Sequence, residues 1–125
     1  MNVWLAVALG GALGSLMRYA AGRAVLSLLG AAFPYGTLVV NVAGSFVAGL
    51  LFVLLSTRWA AGEGLRELLL IGFLGGFTTF SAFSLETMRL LETGSPLLAL
   101  ANVATNLVLG VTACLLGLWL GRALQ

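Results

Sequence analysis

The chain alternates between long apolar runs and short polar breaks. Four runs reach the length of a membrane span, at about residues 3–29, 35–56, 67–91 and 97–120. A helix crosses a hydrocarbon core ~30 Å thick in about 20 residues, so each run is long enough. Gly30 and Pro34 end the first run, because glycine suits a helix C-terminus and proline cannot continue the ladder. The segment 57–66, with Arg58, Glu63 and Arg66, is the most water-like part. Residues 93–96 (TGSP) read as a turn that places Pro96 at the start of the fourth helix.

The third run breaks the pattern. Between residues 72 and 84, Gly72, Gly75, Gly76, Thr78, Thr79, Ser81 and Ser84 crowd in beside Phe73, Phe77, Phe80 and Phe83. Glycine costs about 1 kcal/mol in a helix interior and β-branched threonine is stiff, so residues 75–79 predict a helix break. Non-helical backbone at membrane depth persists only where protein buries it or a wet cavity meets it. Function is expected there.

Composition turns this pattern into a class. Of the 125 residues, 61% are hydrophobic and 8% charged, against roughly a quarter charged in a soluble domain. The expectation is an all-α integral membrane protein with one four-helix domain over residues 1–125, embedded in the lipid bilayer. No basic stretch precedes the first apolar run, so a cleaved signal peptide is not expected. The chain has no histidine and one cysteine, Cys114, which excludes a His/Cys metal site and a Ser-His-Asp relay. An enzyme is therefore not expected. A dispersed net charge of +2 gives no reason to expect nucleic acid.

Charge placement bears on assembly. With four spans, Arg58, Arg66 and Arg122 fall on one side and Arg18, Arg23 and Arg89 on the other. Orientation follows the Arg/Lys imbalance between the two sides, and three against three gives none. Either a weak bias such as the N-terminal amine decides, or the chain inserts both ways and pairs as an antiparallel homodimer. Small residues four apart (Gly10/Gly14, Ser45/Gly49, Gly72/Gly76, Gly117/Gly121) predict close helix packing.

Polar residues inside the spans supply candidate chemistry. Thr37, Asn41 and Ser45 share one face of the second helix, and Asn102 and Asn106 one face of the fourth, beside Thr105. A membrane-buried asparagine can simply glue helices. Two polar stripes beside a broken helix argue instead for a wet path, in which amide N–H groups suit an anion. Phe73, Phe77, Phe80 and Phe83 follow a 4, 3, 3 spacing that reads either as packing or, because the hydroxyls of Thr78, Thr79, Ser81 and Ser84 alternate with the rings, as positive ring edges turned to the same path. Glu86 with Arg89 reads either as a surface pair or as a carboxylate at the mouth of the path. Arg18 either snorkels or gives a vestibule positive potential. Freed backbone carbonyls at the break would suit a cation, freed amides an anion.

Residues 10–19 (GGALGSLMRY), 36–46 (GTLVVNVAGSF) and 72–86 (GFLGGFTTFSAFSLE), in this order, resemble the Fluc (CrcB) fluoride channels. The resemblance implies a passive, fluoride-selective channel exporting cytoplasmic fluoride across a bacterial inner membrane. It implies an antiparallel, dual-topology homodimer with two pores between the subunits. Asn41 would then donate to fluoride, Phe80 and Phe83 would present ring edges, and Arg18 would belong to the vestibule. Backbone carbonyls at Gly75 and Thr78 of both subunits would hold a structural Na⁺. The sequence departs from the family at Ala82, where a threonine is common, and on the fourth helix. There Asn102, Asn106 and Gly110 stand in place of a tyrosine and serines. A small multidrug-type proton-coupled exporter is the alternative, but it needs a central carboxylate in the first helix, and no acid precedes Glu63.

Overall fold

The computed structural model describes residues 2–57 and 62–125 and is all-helical. Helix α1 (Val3–Leu29) is followed by α2 (Tyr35–Thr57). The third span begins with α3 (Glu63–Arg66), passes through a π-helical stretch (Glu67–Phe73) and α4 (Leu74–Phe77), then resumes as α5 (Phe80–Glu92). Helix α6 (Pro96–Ala123) completes the fold. Among the described residues, four segments are long and apolar enough to cross a membrane: Val3–Leu29, Tyr35–Ser56, Glu63–Glu92 and Pro96–Ala123. Arg58, part of the expected polar loop, lies outside the described residues.

The ends of the elements follow their residues. Asn2 caps α1, its Oδ1 accepting from Trp4 N at 2.9 Å. Gly30, at φ 78°, closes that helix by donating to Leu26 O. Gly94, also at φ 78°, forms the turn before Pro96, which starts α6. The third span starts at Glu63, four residues before the apolar pattern does, because a polar first turn can be helical outside the hydrocarbon.

Glycine faces set how the spans pack. A Cβ on Gly10 would run into Leu68 O, and one on Gly14 into Phe73 O. A Cβ on Gly76 would stand 2.5 Å from Gly11 O, and one on Gly72 2.8 Å from Val7 O. The backbones of α1 and the first half of the third span thus touch directly. Gly49 meets Cys114 O, and Gly117 meets Phe46 O, which locks α2 against α6 in the same way.

The break redirects the third span. The π stretch and α4 pack on α1, whereas α5 packs on α6. It is also narrower than residues 75–79. Gly75 and Gly76 are inside α4, and only Thr78 (ψ 157°) and Thr79 (φ −151°, ψ 115°) are extended. Gly76 serves close packing on α1, and the stiff β-branched pair interrupts the helix.

Candidate functional site

An interrupted helix leaves backbone groups without partners, and in a membrane each must be satisfied inside the protein. Here the neighbours close the gap. Thr78 is the C-cap of α4: its N–H donates to Leu74 O at 2.9 Å, and its Oγ1 donates to the same carbonyl at 2.9 Å. Thr79 is the N-cap of α5, its Oγ1 accepting from Ala82 N at 3.1 Å. Ala82, which has no side-chain hydroxyl, thus contributes its backbone N–H.

Asn41 completes the repair from α2. Thr79 N donates to Asn41 Oδ1 at 2.8 Å, and Asn41 Nδ2 donates back to Thr79 O at 3.0 Å. One amide thereby gives an extended residue the two bonds that a neighbouring strand would supply. Arg18, half-buried on α1, donates from Nη1 to Thr78 O over a long 3.4 Å. It reaches the break from within the bundle.

The Asn41 amide continues into α6. Its Nδ2 also donates to Asn106 Oδ1 at 3.1 Å. Asn106 Nδ2 donates to Asn102 Oδ1 at 3.0 Å and to Asn102 O at 2.9 Å. Asn102 is completely buried. The two polar stripes read from the sequence therefore meet, together with Thr79. Ser81 joins through its hydroxyl, 3.3 Å from Thr79 Oγ1.

The phenylalanines divide at the break. Phe73 and Phe77 stack nearly parallel at 5.9 Å, whereas Phe80 and Phe83 tilt by 55° at 5.4 Å. Phe83 is buried at 8% exposure, while Phe80 is 76% exposed. Phe80, Gly75, Thr78, Thr79, Asn41 and Ser45 line part of an open recess of about 390 Å³. This wall carries apolar groups and amide, hydroxyl and carbonyl atoms together.

Glu86 belongs to a different region. Thr37 Oγ1 donates to its Oε1 at 2.8 Å, while the buried Oε2 has no hydrogen-bond partner among the described residues. Glu86, Thr37 and Arg89 line a second recess of about 490 Å³ beneath the 30–34 connection. The pairing of Thr37 with Glu86 was not foreseen. Its signal was Thr37's place one turn before Asn41 on the same polar face.

A family model described as CrcB-like protein, Camphor Resistance (CrcB), matches residues 5–118. The fluoride-specific ion channel FluC of Magnetococcus marinus is 53% identical over 116 residues, covering 93% of this chain and 94% of that relative. The protein of the same name from Rhizobium etli is 50% identical over 118 residues, covering 94% of each chain. That of Aeromonas salmonicida is 45% identical over 120 residues, covering 96% of each. Matched from residue 5 to residue 118, and about half identical to such relatives along nearly their full length, the chain belongs to the CrcB-like family.

Proposed function

We propose that this multi-pass membrane protein is a fluoride-selective passive channel that exports cytoplasmic fluoride across a bacterial inner membrane. The observation that carries this reading is the near-full-length likeness to relatives named as fluoride-specific ion channels, which are not enzymes. The break supports it chemically. Fluoride is small and tightly hydrated, so a pore must replace its water with donors at close range. Asn41, Thr79, Ser81 and Asn106 bring amide and hydroxyl groups to one place, with Asn102 behind them; the amide N–H groups of Asn41 and Asn106, bonded to Thr79 O, Asn106 Oδ1 and Asn102, would exchange such a bond for fluoride. Phe80 and Phe83, tilted 55° to each other, would add ring edges. Arg18 supplies positive potential to the vestibule, and Glu86 stands at the pore mouth.

The working unit in this reading is an antiparallel, dual-topology homodimer with two pores between its subunits. The face bearing Phe80 and Gly75 is its contact surface. A ring 76% exposed beside amide and carbonyl groups makes a poor boundary with lipid tails and a good half of an interface. A structural Na⁺ fits the same face. Thr79, which would close the next helical turn onto Gly75 O, gives its N–H to Asn41 instead. The Gly75 carbonyl thereby lacks its usual helical donor at the negative end of α4. Thr78 lines the same recess as Gly75, and its carbonyl has a second lone pair beyond the long Arg18 contact. Gly75 and Thr78 of each subunit would hold the ion, which supplies positive charge that bridges the two chains.

The test is ion efflux from proteoliposomes containing the pure protein. Fluoride is expected to leave rapidly down its gradient, while chloride stays. Equal chloride flux, or no fluoride flux from a verified reconstitution, overturns the reading. Efflux that requires a proton gradient would favour the exporter alternative.

A further inference from the structure

We propose that Thr87 is a positioning residue for the Asn41 amide, acting through Asn102 and Asn106. The proposal rests on the channel reading only in supposing that the orientation of Asn41 matters to conduction. Thr87 lies on α5, one turn beyond Phe83, and its side-chain hydrogen bonds go to Phe83 O and Asn102 rather than to Asn41 or the break. Its Oγ1 donates to Phe83 O at 2.8 Å, an ordinary backward bond within a helix. What sets it apart is that the same oxygen accepts from Asn102 Nδ2 at 2.9 Å.

The polarity of the chain follows from its two ends. Phe83 O can only accept, so the Thr87 hydrogen is committed to it and Thr87 shows Asn102 a lone pair. Asn102 must then turn its NH₂ to Thr87 and its Oδ1 to Asn106. Asn106 must in turn point NH₂ at Asn102 and Oδ1 at Asn41. At the far end Thr79 N–H can only donate and Thr79 O can only accept, which orients Asn41 the same way. Both ends dictate one direction, and every link obeys it. The series closes a loop from the second turn of α5, through α6 and α2, back to its N-cap.

Removing the Thr87 oxygen frees the buried Asn102 amide to turn over. That sets the Asn102 NH₂ against the NH₂ of Asn106, which must either give up its bond to Asn102 Oδ1 or turn over, losing its bond to Asn102 O and meeting Asn41 donor against donor. Burial raises the stakes, because an unpaired polar group there is costly and bonded amides polarise one another. The oxygen of Thr87 acts, not its bulk.

The experiment compares wild type with Thr87→Val, which keeps the shape, and Thr87→Ser, which keeps the hydroxyl. Initial fluoride efflux from proteoliposomes is expected to fall roughly two- to tenfold in Thr87→Val, the size of effect of one lost hydrogen bond. Thr87→Ser is expected to restore it. In parallel, the Thr79 backbone amide resonance, recorded in bilayers without fluoride, is expected to move in Thr87→Val and stay in place in Thr87→Ser. If Thr87→Val fails to fold, Thr87→Ala replaces it with the same expectations. An unmoved Thr79 resonance in Thr87→Val, or equal impairment by Val and Ser, overturns the proposal. Should wild-type protein carry no fluoride, the channel reading falls, and the resonance arm still decides the positioning role.

Discussion

Asn41 and Phe80 separate two kinds of residue at the break, and substitution distinguishes them. Asn41 holds both backbone groups of Thr79 as well as Asn106, so Asn41→Ala strands several half-buried polar groups at once. Each stranded group costs about 1–3 kcal/mol, so the variant should both unfold at clearly lower temperature in detergent and lose fluoride flux. Phe80 is 76% exposed in the protomer, so truncating it takes little from the protomer's own core. Phe80→Ala should therefore keep the helical content of wild type while fluoride efflux falls. A variant that conducts like wild type would remove Phe80 from the pore. Phe83, at 8% exposure, lies between these cases. Phe83→Ala is expected to lower flux but also to cost about 3–5 kcal/mol of stability, so its flux counts only beside a melting curve.

At the scale of elements, the four spans and the place of the break were legible because both rest on local residue preference. Twenty-residue apolar runs, Gly30, Pro34 and the TGSP turn mark boundaries, and two adjacent threonines mark the interruption. The parts that escaped depend on what stands opposite. Gly75 and Gly76 read as helix breakers, yet they are helical, and only the facing Gly11 backbone explains the absence of a side chain at Gly76. The π-helical stretch Glu67–Phe73 carries no residue signature of its own. The closure of Thr79 by Asn41 spans 38 positions, and Thr87 sits in an unremarkable helical turn. The packing glycines give a direct check. Gly117→Ala would drive a methyl into Phe46 O and within 2.9 Å of Leu50 N, both backbone atoms that cannot swing aside. It should cost about 1–3 kcal/mol, read as a lower unfolding temperature, as overpacking does elsewhere. Gly22→Ala meets nothing within 4 Å and should leave that temperature unchanged or slightly raised.

At the scale of the whole molecule, the question is what covers the face around Gly75. A Cβ there meets nothing within 4 Å in the protomer, although one on the adjacent Gly76 would stand 2.5 Å from Gly11 O. If lipid covers this face, Gly75→Leu is harmless, since a leucine is at home among lipid tails. If a second copy covers it, the added side chain enters the interface, and Gly75→Leu should convert dimer to monomer in size-exclusion chromatography with light scattering. The direction of that second copy is read separately, at Gly62 beside the 57–66 segment. With Cys114 replaced by alanine, a Gly62→Cys variant in intact cells should react with a membrane-impermeant thiol reagent to about half completion. The remainder should react only after the membrane is opened, because the balanced arginines give insertion no preferred direction. Complete labelling or complete protection in intact cells would show a single orientation, and an antiparallel dimer could not then form. Dimer loss in Gly75→Leu together with half labelling at residue 62 would support both the interface and its antiparallel arrangement. A dimer with single-sided labelling would leave the interface but require the subunits to run parallel, which would overturn the antiparallel arrangement.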